Sequence, residues 1–196
     1  RLTKAIPTIA RLASRGAKVI IISHFGRPKG KIVREMSMQK IFSSLCKALN
    51  GFTVKFIPHS IGSGVADDIR NMKNGEICLL ENLRFHPGEE ENDPEFSKSL
   101  ALLGDCFVND AFSVSHRAHA STAGIARLIP SFAGPLMDLE LKALSNSLDS
   151  PKRPLTAIIG GAKISTKLDL LRNIVKLVDK MIVGGGMANT FLFARG

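Results

Sequence analysis

Val19-Ile20-Ile21-Ile22-Ser23-His24-Phe25-Gly26-Arg27-Pro28-Lys29-Gly30 decides the fold. Its first four residues are β-branched without a break and read as a buried strand. The chain then enters a loop with a His, an Arg, a Lys, a Pro and two Gly. Glycine lets backbone amides approach a ligand closely, and arginine offers a planar fork to phosphate or carboxylate. In open α/β sheets ligands sit just beyond the carboxyl ends of the strands, where this loop would lie.

Working outward, strand and helix alternate. Upstream, Ile6, Ile9 and Leu12/Ala13 form a helical stripe closed by Gly16. Thr3 can cap that helix, and Pro7 is tolerable if the helix begins close before it. Downstream, Ser37 can cap a helix carrying Met38, Ile41/Phe42, Leu45 and Leu49, with Gly51 beyond its end. Residues 53–57 read as a strand, 63–72 as a helix and 76–80 as a strand. Asp93-Pro94 starts a helix that runs through Phe96, Leu100 and Leu103 to Gly104, and Cys106 to Asn109 is the next strand. Such alternation implies parallel strands with right-handed crossovers, an α/β class. Glu89-Glu90-Glu91-Asn92-Asp93 is a short acidic run, expected to be solvated and to supply helix N-terminal charge.

Beyond Pro135 the pattern changes. Leu136, Leu139, Leu141, Leu144 and Leu148 mark an amphipathic helix, and Pro151-Lys152-Arg153-Pro154 reads as a linker. A fresh unit follows: a strand over 155–159, the turn Gly160-Gly161, a helix from about Lys163, a strand over 180–183, then Gly184-Gly185-Gly186. Two strands make too small a layer for a complete sheet, so the chain is expected to be cut short at its C-terminus. Three segments result: 1–135, a connecting helix over 136–150, and 151–196.

The bulk composition bounds the function. The chain has 196 residues, 44% of them hydrophobic and 22% charged, within the range of a folded soluble protein. No apolar run approaches the ~18 residues that span a bilayer, and Arg1-Leu2-Thr3-Lys4 lacks the apolar core of a signal peptide. Cys46, Cys78 and Cys106 lie in apolar segments without metal-like spacing and read as small core residues in a reducing compartment. A cytoplasmic location follows as the expectation. The net charge of +10 fits a solvated basic surface or an anionic partner: nucleic acid, acidic membrane or phosphorylated metabolite. With no Trp and no Tyr, a base-stacking surface would rest on Phe alone.

The basic residues cluster behind strands. His24 and Arg27 follow one, Arg84 another, and His116, Arg117 and His119 a third. In a parallel sheet all three loops open on one edge, which predicts a convergent cationic pocket able to hold a phosphate bidentately. The alternative for each residue alone is an ordinary surface cation. Gly160-Gly161-Ala162-Lys163-Ile164-Ser165-Thr166-Lys167 lies between strand and helix but lacks Walker A spacing. Lys163 and Lys167 would share the face of a helix start, a place that favours cations only when an anion is bound there. Gly184-Gly185-Gly186-Met187-Ala188 misses the dinucleotide fingerprint because Asn189 holds its last position. It serves either a nucleoside or a tight strand-to-helix turn. No nucleophile stands out, and none of His24, His116 and His119 has an evident acidic partner. Phosphoryl transfer to a carboxylate needs no base, because that acceptor is already ionised at neutral pH.

Together these stretches resemble phosphoglycerate kinase. Residues 23–30, Leu80-Glu-Asn-Leu-Arg-Phe-His86, Asn109-Asp-Ala-Phe-Ser-Val-Ser-His-Arg-Ala-His119, Gly160-Gly-Ala-Lys163 and Val183-Gly-Gly-Gly-Met-Ala188 match the family's motifs in order over essentially the whole chain. The resemblance implies two Rossmann-like domains: a three-layer parallel sheet for 3-phosphoglycerate and the beginning of a second domain for Mg-ATP. It implies reversible transfer of the ATP γ-phosphoryl to the carboxylate of 3-phosphoglycerate, giving 1,3-bisphosphoglycerate. By position, His24, Phe25, Gly26, Arg27, Arg84 and Arg117 would hold the substrate. Arg1 would meet the transferring phosphoryl, and Lys163 would stabilise it from the nucleotide side. Gly161, Ala162, Lys163, Lys167, Gly184, Gly185 and Gly186 would bind nucleotide. Mg2+ would arrive with ATP or ADP; Thr166 stands where some members have an Asp near the metal, so no metal ligand is assigned. The helix over 136–150 would connect the domains, and a monomer is expected.

The likeness also implies pieces this sequence does not show. The family's first strand would precede Arg1, and the later nucleotide-domain strands would follow Gly196, so this polypeptide alone is expected to have negligible kinase activity. Two other classes remain open: a basic module for nucleic acid or acidic surfaces, and a non-catalytic product with a structural role. A nucleic-acid binder would lose affinity steeply with salt across many sequences. A metabolite pocket would saturate with 3-phosphoglycerate and fail on single arginine substitutions.

Overall fold

The computed structural model describes residues 2–149, 151–161 and 165–196. It divides into two compact units, Arg1–Glu140 and Leu141–Gly196. In the first, a three-stranded sheet has the order β1 (Val19–Ile21), β3 (Ile77–Leu80), β2 (Val54–Ile57), and both pairings are parallel. Ile77-Cys78-Leu79-Leu80 is apolar throughout because both faces of its strand are covered, and all four residues are buried. Ile77 and Leu79 point to one layer, packing with Ala13 of α1 (Leu2–Ser14) and Leu45 of α2 (Gln39–Ala48). Cys78 and Leu80 point to the other, with Val65 and Ile69 of α3 (Ser63–Arg70). The alternation follows from the period of two along a strand, and each fully buried Leu contributes about 2 kcal/mol. Two helical layers around a parallel sheet give the α/β class that the alternating pattern predicts and the three-layer architecture that the family resemblance implies.

A short second pair, β4 (Phe107–Asn109) and β5 (Ser131–Ala133), is also parallel. Between them in the chain lies a π-helical turn, Ala120–Gly124, which packs on α5 (Pro94–Ala101). Ile22, just past β1, and Phe107 of β4 pack against that same cluster. In the second unit, β6 (Thr156–Gly160) pairs in parallel with β7 (Lys180–Gly184), with α7 (Leu168–Ile174) between them and α8 (Gly186–Ala194) after. The helix α6 (Pro135–Leu148) spans the division between the units.

Several local expectations are corrected. Val19 to Ile21 is half-buried, not buried, because β1 pairs only with β3 among the described residues; β3 is the fully enclosed strand. Thr3 lies inside α1, whose start at Leu2 puts Pro7 within the helix. Met38 takes the N-cap position of α2; Ser37 still accepts the Gln39 amide at 3.1 Å. The second-unit α-helix starts at Leu168, after a 3-10 turn over Ser165–Lys167, so Lys167 stands at its N-cap; the helix face expected to be shared with Lys163 lies outside the described residues. Cys78 is buried, but Cys106 is exposed. The strand β5, the helix α8 and the short helix α4 (Pro87–Glu91) are additions to the sequence reading. Asp93 caps α5 as expected, accepting the Phe96 amide at 2.7 Å. Among the described residues no helix is long and apolar enough to cross a membrane.

Candidate functional site

The first site grows from the loop after β1. Gly26 and Gly30 have φ of +68° and +71°, which suits glycine. A Cβ on Gly26 would stand 2.7 Å from the Met36 sulfur, and one on Gly30 would stand 2.8 Å from Pro87 Cγ. The loop therefore threads a gap that only glycine fits. Asn82, fully buried, fastens it: its Nδ2 donates to the carbonyls of Phe25 (2.7 Å) and Met36 (2.8 Å), and its Oδ1 accepts the Arg84 amide at 3.1 Å. Glu81 beside it accepts from Ser37 Oγ and the Met38 and Asn82 amides, all within 2.7 Å.

Arg84 sits in the 3-10 turn Leu83–Phe85 and is 4% exposed. Its Nη1 donates to the Gly26 carbonyl at 3.0 Å. Its Nε is 3.3 Å from Glu90 Oε1, an ion pair without a hydrogen bond. From the loop after β4, Arg117 is half-buried, and its Nε faces His116 Nε2 at 3.3 Å. The buried His119 is 3.7 Å from Glu89 through Nδ1. His24 lies among these groups. Burial first, then the positive charges of Arg84, His119 and Arg117, push its pKa down to about 4, so it is neutral at pH 7.

Arg84, His119 and Arg117 all lie close enough to His24 for their charges to act on it, but the single sheet edge expected for their loops is not what carries them: β4, which leads to Arg117 and His119, pairs with β5 in a separate two-stranded sheet. Arg27 projects from the same loop as His24 with an exposed side chain and no hydrogen bond or ion pair to a described residue. Phe25 is exposed at 43%, and Gly26 is spent through its carbonyl on Arg84. Two further expectations fail here. Glu89, read as solvated, is 1% exposed, and it is the acidic partner that His119 was expected to lack. The acidic run gave no sign of this, because its residues differ only in which way the short helix α4 turns them.

The second site joins two glycine turns. Gly160 and Gly184 are register partners at the ends of β6 and β7. The Met187 amide donates to the Gly161 carbonyl at 2.9 Å, and Lys167 Nζ donates to the Gly160 carbonyl at 2.9 Å. A Cβ on Gly161 would meet that ammonium at 2.9 Å. Gly185, with φ +65°, turns the chain into α8, which starts at Gly186. Amide dipoles, an ammonium and open backbone make an anion-compatible rim. Arg1, Ala162 and Lys163 lie outside the described residues. Among the described residues no group of three or more His, Cys, Asp or Glu could hold a metal ion.

The family model for phosphoglycerate kinase matches residues 1–196. The chain belongs to the phosphoglycerate kinase family. It is 55% identical over 196 residues to the phosphoglycerate kinase of Cereibacter sphaeroides strain ATCC 17025 and 54% identical to that of Agrobacterium fabrum. Each match covers all of this chain and 49% of the relative, so the chain spans about half the length of the curated phosphoglycerate kinases it matches. Among solved structures, phosphoglycerate kinase from Coxiella burnetii superposes with a TM-score of 0.85 at 44% identity, over 100% of this chain and 49% of that one. The Pyrococcus horikoshii enzyme gives 0.85 at 33% identity, over 100% and 50%.

Proposed function

We propose that this chain supplies the 3-phosphoglycerate site and the opening of the ATP site of a glycolytic phosphoglycerate kinase. Residues 1–135 bind 3-phosphoglycerate, the helix over 136–150 links the domains, and 151–196 begins the nucleotide domain. The enzyme works as a cytoplasmic monomer, with Mg2+ carried in on the nucleotide. The observation that carries this reading is Arg84 Nη1 bonded at 3.0 Å to the Gly26 carbonyl in the loop of His24, a histidine on which the charges of both Arg84 and Arg117 act.

The acceptor carboxylate is the nucleophile and is already ionised, so no residue need remove a proton. The reaction needs charge neutralisation and alignment. Arg27, Arg84 and Arg117 neutralise the phosphate of the acid, and neutral His24 hydrogen-bonds it with Phe25 and Gly26 lining the loop. Lys167, Gly161, Ala162 and Gly184 to Gly186 hold the nucleotide. Arg1 and Lys163 stabilise the γ-phosphoryl as its bond to the β-phosphate oxygen breaks and its bond to the carboxylate oxygen forms.

Calorimetric titration with 3-phosphoglycerate tests the reading. Arg27→Ala and Arg84→Ala should each weaken binding by more than about 1 kcal/mol. Arg27→Ala is the cleaner arm, because Arg84 also supports the loop through the Gly26 carbonyl. Unchanged affinity in both would remove the pocket. Binding to unrelated nucleic acids that collapses with salt would favour the basic-module reading instead.

A further inference from the structure

Glu89 stands out because the site as proposed makes no use of it. Its carboxylate is 1% exposed, although Glu90 and Glu91 beside it are exposed. Oε2 accepts the Ser121 amide at 3.0 Å, Oε1 accepts Ser121 Oγ at 2.5 Å, and His119 Nδ1 is 3.7 Å from Oε1. A buried carboxylate is costly unless its lone pairs are filled, so this arrangement fixes the partner segment as firmly as it fixes the acid. The partner segment is the one that carries Arg117. Thr122 Oγ1 accepts the His119 amide at 3.0 Å and lies 2.8 Å from the Arg117 carbonyl, to which it donates. Ser121 and Thr122 are adjacent in the chain, so the bonds from Ser121 to Glu89 and from Thr122 to the Arg117 carbonyl tie one short segment at both ends. The next residue, Glu90, meets the Arg84 guanidinium at 3.3 Å. Neighbouring carboxylates on one short helix thus each reach one of the two segments whose arginines must face the same anion.

We propose that Glu89 is a positioning residue: its buried carboxylate anchors residues 117–122 so that Arg117 is presented beside Arg84 and His24. The inference rests on reading this site as the 3-phosphoglycerate site. Glu89 does not touch the acid; it removes the freedom that Arg117 would otherwise lose on binding.

The test is a thermodynamic cycle read by calorimetric titration of the full 196-residue chain with 3-phosphoglycerate. Glu89→Ala should weaken binding about tenfold. On an Arg117→Ala background the same change should weaken it hardly at all, because the residue acts through Arg117. Ser121→Ala, which leaves the burial intact, should give a smaller loss with the same dependence on Arg117, and it decides the matter if Glu89→Ala does not fold. Equal losses with and without Arg117, or no loss, overturn the proposal. Ligand-free amide exchange separates the two ways of failing. Exchange at 117–122 that stays slow in Glu89→Ala sinks the anchor alone. An unsubstituted chain that does not bind 3-phosphoglycerate sinks the substrate reading, and the positioning role falls with it.

Discussion

His24 shows how a charge cluster sets the state of a single side chain. Its pKa is pushed from 6.5 to about 4, by burial first and then by Arg84, His119 and Arg117. Between those values the unfolded chain takes up a proton that the folded one refuses, so stability is full above pH 6.5 and falls as the pH drops toward 4. Burial lowers His86 and His119 in the same direction. The midpoint of urea unfolding should therefore be lower at about pH 5 than at about pH 7, and His24→Gln should shrink that difference. An undiminished difference in the variant would show that His24 titrates normally. Bound 3-phosphoglycerate should raise the His24 pKa, since its negative charge offsets the two arginines; a histidine NMR titration reads this directly. Asn82 is the second residue on which the site depends. Asn82→Ala would strand two carbonyls and the Arg84 amide, and should cost about 2–4 kcal/mol in denaturant unfolding.

At the scale of elements, the joints are as restrictive as the core. Asp110, just after β4, accepts the amides of Leu136 and Met137 at 2.7 and 3.2 Å at the start of α6 and the Thr8 hydroxyl of α1 at 2.6 Å. Asp110→Ala should cost about 1–2 kcal/mol by removing a helix cap, measured as a fall in the urea midpoint. Gly134→Ala should be at least as damaging, because a Cβ there would run into the Asp110 carboxylate. The sequence made the elements plain where burial is periodic or complete: β3 is an apolar run, and α5 announces itself with Asp93-Pro94. It was silent where tertiary contact decides. Ser131-Phe132-Ala133 is too short and mixed to read as β5 and becomes a strand by pairing with β4. Glu89 lies in a run that looks solvated, and its burial depends on Ser121, 32 positions away. The approach of Arg84 to the His24 loop was legible because β1 and β3 are parallel neighbours; that of Arg117 was less so, because β4 belongs to a separate two-stranded sheet. The state of His24 was not, because it depends on distances between those loops.

For the molecule as a whole, family membership and fold agree with a chemistry that needs only charge and alignment. Part of the +10 charge, ambiguous as a bulk property, surrounds His24 as Arg84 and Arg117, and one lysine, Lys167, stands beside the glycine turns of β6 and β7. On the reading proposed above, this organisation and not the net charge is what separates a metabolite site from a basic surface. The central claim is that side chains from three strand ends form one pocket for a phosphorylated acid. NMR titration of the full chain with 3-phosphoglycerate tests it most directly, following the His24 imidazole and the Nε resonances of Arg84 and Arg117 together. The account predicts that all three shift along one saturable curve with a single dissociation constant. Resonances that stay still, or that follow separate curves, would contradict it.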